Sequence, residues 1–308
     1  MRIAPLASSL ASSLASSIAS SIASSFAVVT LLLGSASAGA ACLSDAEVVA
    51  MHEAYVAKRP ANNPEGLSPA DGECTRAKFN RLLAVQMGPV VGYKAGLTNP
   101  AVQKRFNHDS PVWGTLYESM LLKDGAVVDA AFGARPLFEA DMLVRVSDAA
   151  INQARTPADV LAAIDQVIPF IELPDLVVQA PPKLNGAAVN AINVGARLGV
   201  MGAPIAVPVT RAERFALLDA LRDMVVIVNE GGKEVDRGKG SDVLEHPLNA
   251  VVWLAKDMAR SGGGAVMKPG DLISLGSFSR LMPPKAGQAV EIVYWGLPGR
   301  PAVRVSFR

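Results

Sequence analysis

The chain is poor in the residues that mark many metal and nucleotide centres. It has three histidines, His52, His108 and His246, and their separations match no histidine metal site. No G-x-S-x-G elbow, P-loop or G-x-G-x-x-G stretch occurs, and the Ser-Gly-Gly-Gly run at 261–264 reads as a helix stop rather than a phosphate cradle. Charge of neither sign dominates, with 29 Lys and Arg against 28 Asp and Glu. That balance argues against nucleic acid or an anionic membrane surface as the main partner. No apolar run approaches the roughly 20 residues of a membrane-spanning helix. Only two cysteines occur, Cys42 and Cys74.

What is present begins with a leader. Met1-Arg2 is a short positive start, an ASSL/ASSI repeat follows, and FAVVTLLL at 26–33 is a brief apolar core ahead of the small residues GSASAGA. Residues 1–38 read as a secretory signal peptide cut after Ala38. The chain is therefore expected to be exported, to the periplasm, with no stable membrane span after cleavage. Removing residues 1–38 takes away Arg2 and no acid, leaving 28 basic and 28 acidic residues. In an exported protein Cys42 and Cys74 form either one disulfide or two unrelated thiols; a bridge would close a loop of about 33 residues.

Residues 39–89 read as a helical N-terminal region. Ser44-Asp45 caps the amphipathic stretch at 46–59, 60–72 reads as loop, and 74–87 as a second helix. From residue 90 short β-rich runs dominate, over 90–94, 111–117, 137–146, 167–173, 225–228, 271–275, 289–294 and 302–307. Helices are expected over 156–167, 210–224 and 246–263. The order is α+β rather than regular βαβ alternation.

Two carboxylates stand out. In RPLFEADMLVRV, Glu139 and Asp141 are two apart in a strand-like run, so both point to one face. Glu172 ends VIPFIEL and is followed by Asp175. Like charges held together call for a cation or a proton between them. Three such carboxylates suit a hard divalent ion, Mg²⁺ or Mn²⁺. Lys94 sits where an apolar strand dives inward.

Together these motifs resemble the 2-keto-4-pentenoate hydratase family of the fumarylacetoacetate hydrolase superfamily. GYKAGLTNPAVQKRF…SPVWGTL is similar to the family's G-x-K-x-G-L-T…P-D-F-G segment, PLFEADM to its P-x-x-E-x-E strand, and FIELPD to its x-x-E-I-x-D. VLEHPLNAVVWLAKDM…MKPGDLISLGSFSRLMP is similar to its C-terminal half, so the likeness runs over 90–308. The resemblance implies a fumarylacetoacetate hydrolase-like mixed β roll preceded by helices, and a homo-oligomer. It implies a metal-dependent lyase that adds water to, or removes it from, an enolisable 2-oxo acid. Glu139, Asp141 and Glu172 would be the metal ligands and Lys94 would stand beside the substrate. Ser277, after Gly276, either holds a substrate oxygen or shapes the family's G-S turn.

Three departures accompany the resemblance. Asp141 is one methylene shorter than the family's Glu. P-D-F-G is Pro111-Val112-Trp113-Gly114 here, leaving Asp109 as the nearest acid for proton handling. D-N-A-S is Ile192-Asn193-Val194-Gly195, which keeps only Asn193 as a substrate-binding candidate. A related decarboxylase or C–C hydrolase, or a non-catalytic exported protein binding metal-chelated oxo acids, are the alternatives these losses leave open.

Overall fold

The computed structural model describes residues 42–261 and 264–308; the expected leader lies outside the described residues. Helices run over α1 (Asp45–Val56), α2 (Pro69–Met87), α3 (Pro100–Arg105), α4 (Pro157–Ala162), α5 (Gly186–Ala191), α6 (Arg211–Asp223) and α7 (Asn249–Ser261). Ser44 and Glu47 form a capping box on α1, and Ser68 and Asp71 form one on α2. Helix α2 thus starts at Pro69, inside the stretch expected to be loop through Gly72. Proline at the first turn is pre-set for helix. Gly72 serves contact rather than breakage: a Cβ there would lie 2.5 Å from the Ala187 carbonyl oxygen of α5.

The strands are β1 (Val90–Gly96), β2 (Val112–Tyr117), β3 (Leu121–Lys123), β4 (Ala126–Val128), β5 (Glu139–Val146), β6 (Ile164–Leu173), β7 (Leu198–Met201), β8 (Ile205–Ala206), β9 (Val225–Glu230), β10 (Lys233–Lys239), β11 (Leu272–Ser274), β12 (Ala289–Trp295) and β13 (Ala302–Phe307). Eight strands form a mixed sheet in the order β2-β1-β11-β5-β6-β7-β3, with β8 beside β6. Five form a second sheet, β10-β9-β12-β13-β4. Helix α4 stops at Ala162, short of the expected 156–167, because Ile164 already pairs with Val146 across β5 and β6.

Strand β5 is buried on both faces, as a strand inside a layered fold must be. Met142 and Val144 join a core with Val226, Ile292, Tyr294 and Val305 of the five-stranded sheet. Leu143 faces the other way, into a core shared with Met51, Tyr55, Phe79 and Leu83 of α1 and α2. The odd-numbered side of β5, which carries Glu139 and Asp141, therefore looks toward the helical N-terminal part. Among the described residues no helix is long and apolar enough to cross a membrane.

Cys42 and Cys74 are joined, with Cα atoms 5.6 Å apart, and the bridge ties the chain ahead of α1 to α2. Replacing both with serine should cost ~3–4 kcal/mol in the chain-entropy account of a 33-residue loop. Urea denaturation of the oxidised protein and the double variant checks this; equal midpoints would contradict it.

Candidate active site

Strand β1 lies between β2 and β11, so Lys94 is opposite Gly114 on one side and Ser274 on the other. On the next strands, Glu139 of β5 and Glu172 of β6 are directly opposed in antiparallel register. These three side chains meet at the closed end of a cavity of about 310 Å³. Lys94 and Glu172 are each 3% exposed and Glu139 is 8% exposed. The cavity walls are apolar, from Leu97, Val102, Phe106, Leu176, Val189 and Phe278, and Ser277 lies against the polar end.

The Lys94 ammonium donates to Glu172 Oε1 and to the Val194 carbonyl oxygen, the latter at 3.0 Å. Burial pushes Lys94 down to about 8, against the attraction of Glu139 and Asp141. Burial pushes Glu139 up to about 7; Lys94 and the Ser277 hydroxyl oppose that rise and Asp141 adds to it.

The carbonyl that receives Lys94 is set by an unusual turn. Asn193, Val194 and Gly195 are consecutive left-handed residues, with φ of 54°, 54° and 65°. A β-branched residue such as Val194 rarely adopts that conformation. The turn is held in place from both sides. Asn193 Oδ1 accepts from Thr115 N at 2.7 Å and its Nδ2 donates to Thr115 O at 3.0 Å. Asp175 N donates to Gly195 O at 2.9 Å.

Three of the residues expected at the site are elsewhere in role or place. Asp141 is fully buried, but its carboxylate is turned from the cavity. It accepts from Ser274 Oγ at 2.5 Å, Gly276 N at 3.0 Å and Met142 N at 2.5 Å. Being shorter than glutamate, it braces the turn after β11 instead of reaching the open end. That turn is tight: Gly276 has φ 101°, and a Cβ there would meet Thr98 Oγ1 at 2.0 Å. Asn193 is not among the residues lining the cavity, and both ends of its amide bond Thr115. Asp109 is exposed and lines a different depression, with His108, Trp113 and Asp257. Ser277 does line the cavity, where its hydroxyl donates to Ser279 O at 2.7 Å.

The residues that replace the family's motif acids are accounted for by packing. Val112 and Ile192 are buried in the helical-side core. Trp113 is held by its indole N–H, which donates to Asp257 Oδ2 at 3.0 Å, and by the Arg76 guanidinium stacked 3.6 Å from its ring centre.

A hard divalent cation fits this site through two carboxylates rather than three. Among the described residues no three His, Cys, Asp or Glu side chains gather around one ion position. Glu139 and Glu172, however, are facing register partners, buried together, with the Lys94 ammonium bonded to Glu172. Their oxygen donors match an ion that takes one or two carboxylates and completes its shell with water or substrate.

No family model matches the chain. It is 30% identical over 210 residues to 2-keto-4-pentenoate hydratase 2 of Dechloromonas aromatica (strain RCB), covering 68% of this chain and 75% of that protein. It is 27% identical over 247 residues to the 4-oxalocrotonate decarboxylase of Pseudomonas putida, covering 80% and 89%. The solved structure of 4-oxalocrotonate decarboxylase from Pseudomonas putida G7, complexed with magnesium and adipate, superposes with a TM-score of 0.73 at 25% identity. That superposition covers 86% of this chain and 97% of the other.

Proposed function

The chain belongs to the 2-keto-4-pentenoate hydratase family and has the fumarylacetoacetate hydrolase-like fold, and on that premise we propose that it is a cation-dependent enzyme acting on an enolisable 2-oxo acid. At the coarser level it is an enzyme of the superfamily's hydratase and decarboxylase type. The observation that carries the finer reading is the meeting of Lys94, Glu139 and Glu172 at the buried end of an apolar cavity.

Glu139 and Glu172 would hold the cation, Mg²⁺ or Mn²⁺, as they already oppose each other across β5 and β6. When bound, the ion supplies Lewis-acid polarisation of the oxo-acid carbonyl. The rest belongs to the chain's own groups. Lys94 brings a positive charge to the place where negative charge develops on the substrate oxygen, and Glu172 and the Val194 carbonyl fix its direction. The apolar walls keep bulk water from that charge, which strengthens its effect.

A second reading is favoured by one observation. The cavity's buried ionisable groups are Lys94, Glu139 and Glu172, while Val112 and Ile192 stand where the family carries polar motif residues. Decarboxylation of a related oxo acid breaks a C–C bond, leaves the electron pair on the enolate and needs only charge stabilisation and one proton. Hydration must also activate water. The two are separated by supplying 2-hydroxypenta-2,4-dienoate and 4-oxalocrotonate with Mg²⁺, and following loss of dienol absorbance and release of CO₂. Turnover of either supports the enzyme reading and names the reaction; binding of both without turnover of either contradicts it.

The Cys42–Cys74 bridge and the leader-like residues 1–38 support, as part of this proposal, a mature chain in an oxidising compartment such as the periplasm. Cell fractionation with N-terminal sequencing tests it: a mature start at Gly39 is expected, and an intact Met1 in the cytoplasm would contradict it.

A further inference from the structure

Among the described residues the cavity wall carries four hydroxyl or amide side chains, Thr98, Asn99, Ser277 and Ser279. Three of them are spent on neighbours. Asn99 Oδ1 accepts from Ala101 N at 2.8 Å and its Nδ2 donates to Asp242 O at 3.2 Å. The Ser277 hydroxyl donates to Ser279 O at 2.7 Å, and that of Ser279 donates to Arg280 O at 3.2 Å.

Thr98 differs. It is 2% exposed, and its hydroxyl has no hydrogen-bond partner among the described residues. A hydroxyl taken out of water without a partner carries a cost that a ligand oxygen can remove. The residue is also firmly held. Leu97, just before it, is left-handed with φ 54°, and the Leu97 carbonyl oxygen accepts from Gln103 Nε2 at 2.8 Å. Thr98 O accepts from Leu244 N at 3.2 Å. The side chain is packed with Oγ1 against Gly276, where an added Cβ would meet it at 2.0 Å. Gly276 is itself a wall residue, two places after Ser274, the register partner of Lys94. Two places further on, Phe278 N donates to Ala140 O at 2.8 Å, next to Glu139. Along this run of chain the hydroxyl stands between the level of Lys94 and that of Glu139.

We infer that Thr98 is a further catalytic residue, whose hydroxyl donates a hydrogen bond to the oxo-acid oxygen on which negative charge develops. The inference rests on the reading of the buried end as the oxo-acid site. The hydroxyl keeps its proton throughout, so it stabilises charge beside Lys94 without entering the proton balance of the reaction. A donor fixed in place before the ligand arrives, in a cavity with apolar walls, needs little reorganisation to do this.

The test uses oxalate as a planar enolate mimic. It is titrated calorimetrically, in Mg²⁺, into the wild type, Thr98→Val, Thr98→Ser and Glu172→Gln, and each protein is unfolded in urea. Valine keeps the branched shape and removes the hydroxyl; serine keeps the hydroxyl. Thr98→Val should bind oxalate about 10–100-fold more weakly, the loss expected of one hydrogen bond to a charged oxygen. Thr98→Ser should recover most of that loss. The urea midpoint of Thr98→Val should be no lower than that of the wild type, since no protein group loses a partner. Equal oxalate affinity in wild type and Thr98→Val overturns the role of Thr98. So does a Thr98→Ser as weak as Thr98→Val, or a lowered midpoint in Thr98→Val, which would make the hydroxyl structural. If Glu172→Gln abolishes the wild-type binding, the oxo-acid reading survives such a failure. If the wild type binds no oxalate, both fall together.

Discussion

Replacing Lys94 with methionine is expected to lower kcat/KM by about 10²–10³-fold, the usual effect of removing one group that stabilises developing charge. The side chain is almost fully buried, and its ammonium is oriented by Glu172 and by the carbonyl of a left-handed Val194. Methionine keeps the length and the apolar stem but loses the charge. Circular dichroism should show an intact fold, so the loss would be chemical rather than structural. Lys94→Arg should not rescue activity, because a planar guanidinium cannot occupy the same space between Glu172 and Val194 O. Steady-state kinetics on whichever oxo acid is turned over checks both variants. Activity within threefold of wild type in Lys94→Met would remove Lys94 from the mechanism.

The second large effect is on stability. Asp175 is 1% exposed and accepts four hydrogen bonds: from Ala134 N at 3.0 Å, Arg135 N at 2.7 Å, Val177 N at 3.2 Å and Arg197 Nη1 at 3.2 Å. Arg197 is itself buried, stacked 4.1 Å from the Tyr55 ring centre, with its other contact at the Tyr55 carbonyl. Asp175→Ala would leave a buried guanidinium without its counter-charge and three backbone N–H groups without acceptors. The expected cost is about 3–5 kcal/mol, a large part of the stability of an ordinary domain. Asp175→Asn, which keeps one acceptor oxygen, should lose less. Urea unfolding of both variants measures this. A midpoint for Asp175→Ala equal to wild type would mean that the network contributes nothing net. Because Asp175 N also holds Gly195 O, weakening this corner should loosen the turn that presents Val194 to Lys94.

Much of the site was legible because strand geometry is strict. Lys94 in an inward-running strand was legible in the strand pattern, whereas Glu139 was grouped with Glu172 by the family resemblance; both glutamates lie in the cavity. Asp141 shows the limit of the same rule. Parity puts its Cβ on the face of Glu139, yet its carboxylate is claimed by Ser274 and Gly276, more than 130 positions away in sequence. Asn193 lies off the cavity lining for the same kind of reason: its amide is bonded to Thr115, 78 positions distant. Asp109 is near in sequence to the missing motif acid but sits ahead of the start of β2, lining another depression. The Val194 carbonyl carried a faint signal, an Asn-Val-Gly run that tolerates left-handed backbone at its two ends. In the fold, β10 was missed because five of the seven residues in KEVDRGK are charged, as edge strands are when they must not pair further. The strand β7 was missed because its four residues are too short to show alternation.

The central claim is that Glu139 and Glu172, with Lys94, form one cation and oxo-acid site. Thermal unfolding tests it most directly, in EDTA, Mg²⁺ and Mn²⁺, each with and without oxalate as a planar enolate mimic, on the wild type and on Glu172→Ala. The account predicts a rise in Tm with the divalent ion, a further rise with oxalate, and neither in Glu172→Ala, since only the native state holds the ligands. Asp141→Asn should keep the ion response, because Asp141 braces the turn after β11 rather than facing the cavity. An unchanged Tm for the wild type under every condition would contradict the account and reduce Glu139 and Glu172 to a buried structural pair.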